Sequence, residues 1–433
     1  DVITGGPNYA IQYLDIPKNK DGSSQYKGPY DGTGQALYDK AVTCDGNTIT
    51  FKMAKPSGDF NQAITMTAFG AFRKDKDQGD KSNFAIFSDG PYKLDGTWTT
   101  GQGGTFVRNE NWDPKTDTIR KAYPDKIVWD ESLKQETMYE RLIADQGDDK
   151  NAIASDQAPV TAMANVTQAE GRYTVVASPY TRYMALNFKS KVMSNEKARE
   201  AFALATDRSA YVTAAGGDQV VKGTNSLINP ALPAFPDTPL PAGDKGDPAK
   251  AKQLLTDAGF TLPVKINVTY RKNDTMDKVF SGLKDGWDAA GFNVQLTGIP
   301  AEQYYGTLQS PANATKYDAM WAGWGADFPS ASTVIPQLLD SRSQISAGGP
   351  GQDYGYFAND EFNAGIDKAY GLTGAEADKA WGQLDADAVT KYFAIVPLIN
   401  DQFVFAHGSN VQGAIVNTTF TGYYDLATVS VKH

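Results

Sequence analysis

Two periodicities organise the chain. From Asp274 to Ala290 the apolar residues Met276, Val279, Phe280, Leu283 and Trp287 recur every three or four positions. That spacing predicts an amphipathic helix, ended by Gly291. On either side the apolar residues alternate instead: Val264 to Tyr270 (VKINVTY) and Asn293 to Thr297 predict strands. Strand, helix and strand in that order form a βαβ unit, so part of the chain is α/β with a parallel strand pair.

The same reading extends outward. Gly5-Gly6-Pro7, Lys18 to Ser24 and Gly28-Pro29 are turn clusters, and Thr48 to Met53 alternates as a strand behind the turn Asp45-Gly46-Asn47. Gly90 to Leu94, Gly103 to Asn109 and Lys126 to Trp129 predict strands, and Glu136 to Gln146 a helix stopped by Gly147. Thr174 to Ala177 and Tyr183 to Phe188 read as two strands. Ser194 then caps one long helix that Gly216-Gly217 ends. Asp247-Pro248 is an N-cap and N1 pair opening a helix that Gly259 terminates. Tyr317 to Gly325 predicts a strand, and Asn359 to Tyr370 and Ala375 to Tyr392 predict helices. Phe393 to Ile399, Gln402 to Ala406 and Ala427 to Val431 close the chain as extended segments.

Composition narrows the chemistry. At 433 residues the chain is long enough for two or three lobes. Forty-one Lys+Arg against fifty-one Asp+Glu give a formal charge of −10, which argues against broad nucleic-acid binding. No stretch approaches the ~18 to 20 consecutive apolar residues that a membrane-spanning helix needs. Cys44 is the only cysteine, which excludes an intramolecular disulfide and a cysteine metal cluster. His407 and His433 are the only histidines, little material for a metal site or for imidazole catalysis. The first residue is Asp1, with no basic or apolar leader behind it, so no targeting segment can be read.

Few motifs carry chemistry. Gly101, Gly103 and Gly104 lack the strand–loop–helix setting of a nucleotide site, and GxSxG, HExxH and CxxC are absent. Asp145/Asp148/Asp149 and Asp385/Asp387 are expected to lie on solvated faces. No catalytic residue, metal ligand or cofactor is assigned. The run Trp321-Ala-Gly323-Trp324-Gly325-Ala-Asp327-Phe328 stands apart. Glycines in a strand let another backbone come close, aromatic walls can flank its side chains, and Asp327 can meet a cationic group such as a peptide α-ammonium. A core strand followed by a turn aspartate would give the same pattern.

The order of segments also carries a resemblance. Gly90-Pro91-Tyr92-Lys93-Leu94, then Gly104 to Asp113, Asn195 to Arg208 (NEKAREAFALATDR), Gly323 to Asp327 and Ile395-Val396-Pro397-Leu398 together resemble the oligopeptide/dipeptide-binding proteins (family 5) of bacterial ABC importers. The resemblance implies an α/β, periplasmic-binding-protein-like fold: two α/β lobes around a ligand cleft plus a smaller extra lobe, here partly missing. It implies residues 1–89 as the remainder of the accessory lobe, 90–187 with 403–433 as the first α/β lobe, and 188–402 as the second, carrying the peptide-binding strand. Hinge strands are expected near Tyr183 to Phe188 and Ile399 to Phe403.

In the family, the aspartate matching Asp327 binds the peptide N-terminus and the strand matching Gly323 to Gly325 pairs with its backbone. The implied ligand-binding set is Trp321, Gly323, Trp324, Gly325, Asp327 and Phe328. Where some relatives place an arginine for the peptide carboxylate, this chain has Trp321 and the arginine-free stretch Glu302 to Thr315, with Lys316 the only cation close by in sequence. That departure points to longer peptides or a non-peptide ligand. Relatives also begin with an N-terminal segment not present before Asp1, so a chain lacking part of its first and small lobes is expected. The implied role is that of a monomeric, non-enzymatic receptor outside the cell, lipid-anchored in full-length form, passing peptides to a membrane permease. An oligosaccharide receptor on the same scaffold is the alternative, and a secreted hydrolase using paired carboxylates a more distant one.

Overall fold

A computed structural model describes residues 9, 13–19, 23–66, 69–70, 73–82, 87–417 and 422–432. The Gly5-Gly6-Pro7 turn and the middle of Lys18 to Ser24 lie outside the described residues. The strands are β1 (Val42–Asp45), β2 (Thr48–Phe51), β3 (Tyr92–Thr99), β4 (Gly103–Arg108), β5 (Lys126–Asp130), β6 (Tyr173–Leu186) and β7 (Val221–Gly223). They continue as β8 (Val264–Arg271), β9 (Phe292–Ile299), β10 (Ala319–Gly325), β11 (Ile395–Ala406), β12 (Val411–Gln412) and β13 (Ser430–Val431). The longer helices are α1 (Gln35–Ala41), α2 (Gln135–Ala144), α3 (Glu196–Leu204), α4 (Arg208–Ala215) and α5 (Pro248–Asp257). After them come α6 (Asp274–Ala289), α7 (Ala301–Gln309), α8 (Asp360–Tyr370) and α9 (Gly374–Thr390).

The chain divides into two compact units. One comprises residues 1–68 and 179–401, the other 69–178 and 402–433. The chain passes from one to the other within β6 and again within β11.

The larger unit is built on a six-stranded mixed sheet in the order β7-β11-β6-β10-β8-β9. Its parallel pair β8–β9 is in register from Val264↔Phe292 to Arg271↔Ile299, with α6 as the crossover. The apolar stripe of α6 is buried as its spacing requires: Val279, Phe280, Leu283 and Trp287 are inaccessible. Phe280 stacks on Tyr270 at 4.3 Å, and Trp287 stacks on Phe202 of α3 at 4.5 Å. Gly286 lets α6 come close to the end of α3, since a Cβ there would lie 2.7 Å from the Ala205 carbonyl oxygen. The β1–β2 hairpin packs beside a small cluster of Leu14, Ile16 and Ala41.

The smaller unit carries the antiparallel sheet β3-β4-β5 and the β12–β13 pair. A separate core of Tyr139, Leu142, Ala154, Val166, Phe403 to Ala406 and Tyr424 holds it together.

Four local expectations are corrected. The single long helix from Ser194 is two, because Asn195 caps α3 through the Lys197 N–H and Asp207 caps α4 through the Ala210 N–H. The two strands read around Ser178-Pro179 are one, β6. Pro179 precedes Tyr180, the first residue paired with β10, so that ladder asks no N–H of it. Asn400-Asp401 does not interrupt β11: Asn400 Nδ2 donates to Thr181 Oγ1 at 2.8 Å and Asp401 accepts from Arg182. Finally, Asp385 is fully buried rather than solvated, accepting from the Ser226 hydroxyl and from the Leu227 N–H at 2.9 Å. Among the described residues no helix is long and apolar enough to cross a membrane, and no group of three or more His, Cys, Asp or Glu side chains gathers to hold a metal.

Candidate functional site

β10 pairs with β6 along its whole length, from Ala319↔Leu186 to Gly325↔Tyr180. On its other edge β8 accompanies only Ala319 and Met320. Among the described residues no strand lies beside the rest of that edge. Tyr304, on α7, donates its hydroxyl to the Trp321 carbonyl at 2.6 Å, which shows that residue 321 turns its peptide groups to the β8 side. Alternate residues of a strand face the same edge, so Gly323 and Gly325 present their N–H and C=O groups to the open side. Tyr305, beside Tyr304 on α7, lies near Gly323 on this side.

The two glycines also leave room for side chains on β6. A Cβ on Gly323 would overlap Arg182 Nη1 and lie 2.9 Å from Arg182 Cδ, while one on Gly325 would lie 3.0 Å from the Tyr180 ring. Their missing side chains thus make room for neighbours on β6. Arg182 lies between two rings, its Cζ 5.3 Å from Tyr180 and 5.5 Å from Trp321. Its Nε and Nη2 reach Asp401 Oδ2 at 2.8 and 2.6 Å. Burial alone would lower the Arg182 pKa, but the Asp401 carboxylate reverses this and keeps the guanidinium charged. Arg182, not Lys316, is therefore the cation next to Gly323; Lys316 precedes β10 and lies over the Tyr317 ring.

The six residues singled out in the sequence fall into two sets. Gly323, Trp324, Gly325 and Asp327 are partly accessible, whereas Trp321 and Phe328 are buried. Trp324 is fixed by its Nε1, which donates to the Thr333 carbonyl at 2.7 Å. Phe328 is an anchor packed 5.6 Å from the Tyr9 ring. Asp327 sits just past the end of β10. Its backbone N–H donates to Thr333 Oγ1 at 3.1 Å, and its Oδ2 accepts from the Tyr9 hydroxyl at 2.5 Å. Burial raises the Asp327 pKa and the Tyr9 bond holds it down. No Lys or Arg among the described residues forms an ion pair with it. An anion left half-buried without a cation is a receptive site for one.

The turn is braced from a distance. Asp59 accepts from Ser57 at 2.9 Å, from Ser330 at 2.8 Å and from the Ser332 hydroxyl. The sequence reading missed Tyr9, Asp59, Tyr180, Arg182 and Tyr305. Only the hydroxyl-rich Ser330-Ala-Ser332-Thr333 after Asp327 offered a local signal, since such residues bond turn backbones.

Comparison with known proteins agrees with this architecture. Residues 9–345 match the family described as bacterial extracellular solute-binding proteins, family 5 Middle. The periplasmic oligopeptide-binding protein OppA of Haemophilus influenzae is 27% identical over 227 residues, covering 50% of this chain and 39% of that protein. The glutathione-binding protein GsiB of Shigella dysenteriae is 24% identical over 387 residues, covering 86% of this chain and 71% of that protein. Among solved structures, clavulanic acid biosynthesis oligopeptide binding protein 2 superposes with a TM-score of 0.88 at 24% identity, covering 100% of this chain and 78% of that one. The chain belongs to the bacterial extracellular solute-binding proteins of family 5.

Proposed function

We propose that the protein is the substrate-binding component of an ABC importer, and that it binds peptides by adding them to β10. The observation that carries this is the half-open strand: among the described residues β10 has no strand partner on its β8 side beyond Met320, turns the peptide groups of Gly323 and Gly325 to that side, and ends at a carboxylate with no Lys or Arg ion-paired to it. An extended peptide satisfies both needs, its main chain completing the ladder and its α-ammonium meeting Asp327. Gly323, Trp324, Gly325 and Asp327 are the residues that touch ligand in this reading, with Trp321 and Phe328 shaping the strand and turn from below. Two of the relatives named above are called oligopeptide-binding and one glutathione-binding, which supports a peptide-like ligand. The family is one of binding proteins, and we read this member as catalysing nothing. It would work as a lipid-anchored monomer outside the cell, delivering ligand to a membrane permease. A sugar platform is less favoured, because Trp321 is buried and the Trp324 indole is tied to Thr333.

Calorimetric titration tests the reading. Asp327→Asn should weaken binding of a free-amine peptide by roughly tenfold to a hundredfold, the range for a hydrogen bond to a charged group, and leave an N-acetylated peptide little changed. Equal affinities of both proteins for the free-amine peptide would defeat it.

A further inference from the structure

A second group of charged side chains lies in the larger unit, where residues 13–18 and 54–55 face residues 336–343 and the end of α8 around a cavity of about 250 Å³. Lys18, Lys55 and Arg342 line it together with Asp340 and Asp367. Three cations against two carboxylates leave one positive charge over, in a chain whose net charge is −10. Both carboxylates are already engaged. Arg342 donates through Nε to Asp340 Oδ1 at 2.9 Å and through Nη2 to Asp340 Oδ2 at 3.0 Å. Its Nη1 donates to Asp367 Oδ2 at 2.6 Å, and its Nη2 also to Asp367 Oδ1 at 3.0 Å. All four oxygens are thus taken by one guanidinium, whose fork suits paired acceptors.

The lysines are left over. Lys55 Nζ stands 3.7 Å from Asp367 Oδ1, beyond hydrogen-bond reach, and 3.9 Å above the Tyr370 ring. None of its three donors has an acceptor among the described residues. Burial lowers its pKa; Asp367 and Asp340 oppose that fall, and Arg342 and Lys18 add to it. A half-buried ammonium that has lost water without gaining an acceptor is costly until an anion supplies one. The cavity far exceeds the roughly 15 Å³ that one water requires, and Leu14, Ile16 and Pro336 give it an apolar side.

We infer that this cavity is a phosphate site, in which Lys18 and Lys55 share a phosphate dianion, free or carried by a small monoester whose body lies against Leu14, Ile16 and Pro336. A phosphate monoester bears about −1.5 to −2 charges near pH 7 and three strong acceptor oxygens. That matches two ammoniums, whereas a lone carboxylate has one charge to share between them. The site is separate from the open edge of β10 and stands whether or not peptides bind there.

Calorimetric titration in about 0.15 M salt, which screens loose surface attraction, tests it with inorganic phosphate, phenyl phosphate and phenol. Phosphate should bind. Phenyl phosphate binding tenfold or more tighter assigns the site to a monoester, and phenyl phosphate binding no tighter assigns it to the free ion. Lys55→Met should weaken phosphate binding by roughly tenfold to a hundredfold, the range for a hydrogen bond to a charged group. Lys18 is exposed, so Lys18→Met should do the same in a protein whose fold is undisturbed. Lys52→Met, another exposed lysine, paired with Asp15, should change nothing. The site is overturned if the wild-type protein binds no phosphate, if Lys18→Met and Lys55→Met keep the wild-type affinity, if Lys52→Met loses as much as they do, or if phenol binds as tightly as phenyl phosphate.

Discussion

Asp327 and Tyr9 form a pair whose partners are 318 residues apart in the chain, and their chemistry sets the pH range of the proposed site. The carboxylate must be ionised to hold an ammonium. Burial raises its pKa, and the Tyr9 hydroxyl, donating at 2.5 Å, opposes that rise. Removing the donor therefore raises the Asp327 pKa further. Tyr9→Phe should weaken binding of a free-amine peptide, and as pH is lowered affinity should begin to fall at a higher pH than in the wild type. Titrations at a series of pH values would show it; superimposable pH profiles would refute the role given to Tyr9. The run from Trp321 to Phe328 was legible because glycines, tryptophans and an aspartate are adjacent there. Tyr9 and Arg182 were not, since nothing near either residue in sequence distinguishes it from any other Tyr or Arg. Burial beside Asp327 and Gly323 is what distinguishes them.

At the scale of elements, Asp385 on α9 ties a helix to the loop after β7. Its carboxyl is fully buried and accepts from Ser226 and the Leu227 N–H; burial pushes its pKa up to about 7, against which those bonds act. A carboxyl with a raised pKa contributes its full stability below the unfolded value near 3.8 and loses it as pH rises through about 7. The fold should accordingly lose on the order of 3 to 4 kcal/mol from this group between pH 4 and pH 8, taking 1.36 kcal/mol per unit. Asp385→Asn should flatten that part of the pH dependence in thermal unfolding, whereas an unaltered slope would mean the carboxyl is ionised throughout. Periodicity predicted α9 but placed Asp385 on a wet face, because a helical stripe says which residues share a side and not what the neighbouring loop offers them. The same limit explains α3 and α4. Their joined apolar pattern reads as one helix, and Asp207 ends it by capping the second segment.

For the molecule as a whole, the second unit has its own core, and β11 supplies much of it. Phe405 is inaccessible, 6.0 Å from Phe403 and 5.4 Å from Tyr424, while Tyr139 donates its hydroxyl to the Val404 carbonyl at 3.1 Å. Phe405→Ala should cost about 3 to 5 kcal/mol, the usual range for a large aromatic removed from a core. Urea denaturation should show a lower midpoint for this unit, followed by near-UV circular dichroism. A shift below about 0.5 kcal/mol, the range of a surface substitution, would show that the site is not part of a packed core.

Local sequence was enough for the α/β class, the βαβ unit of β8, α6 and β9, and the strand that ends at Gly325 just before Asp327. Each of these is written in local periodicity, caps and turn residues, which act over a few positions. Tertiary structure alone decided that β10 keeps β6 and loses β8 beyond Met320, that Arg182 fills the space above Gly323, and that Tyr9 meets Asp327. Those outcomes depend on which distant segments share space, and a chain pattern with periods of two and 3.6 residues holds no record of that.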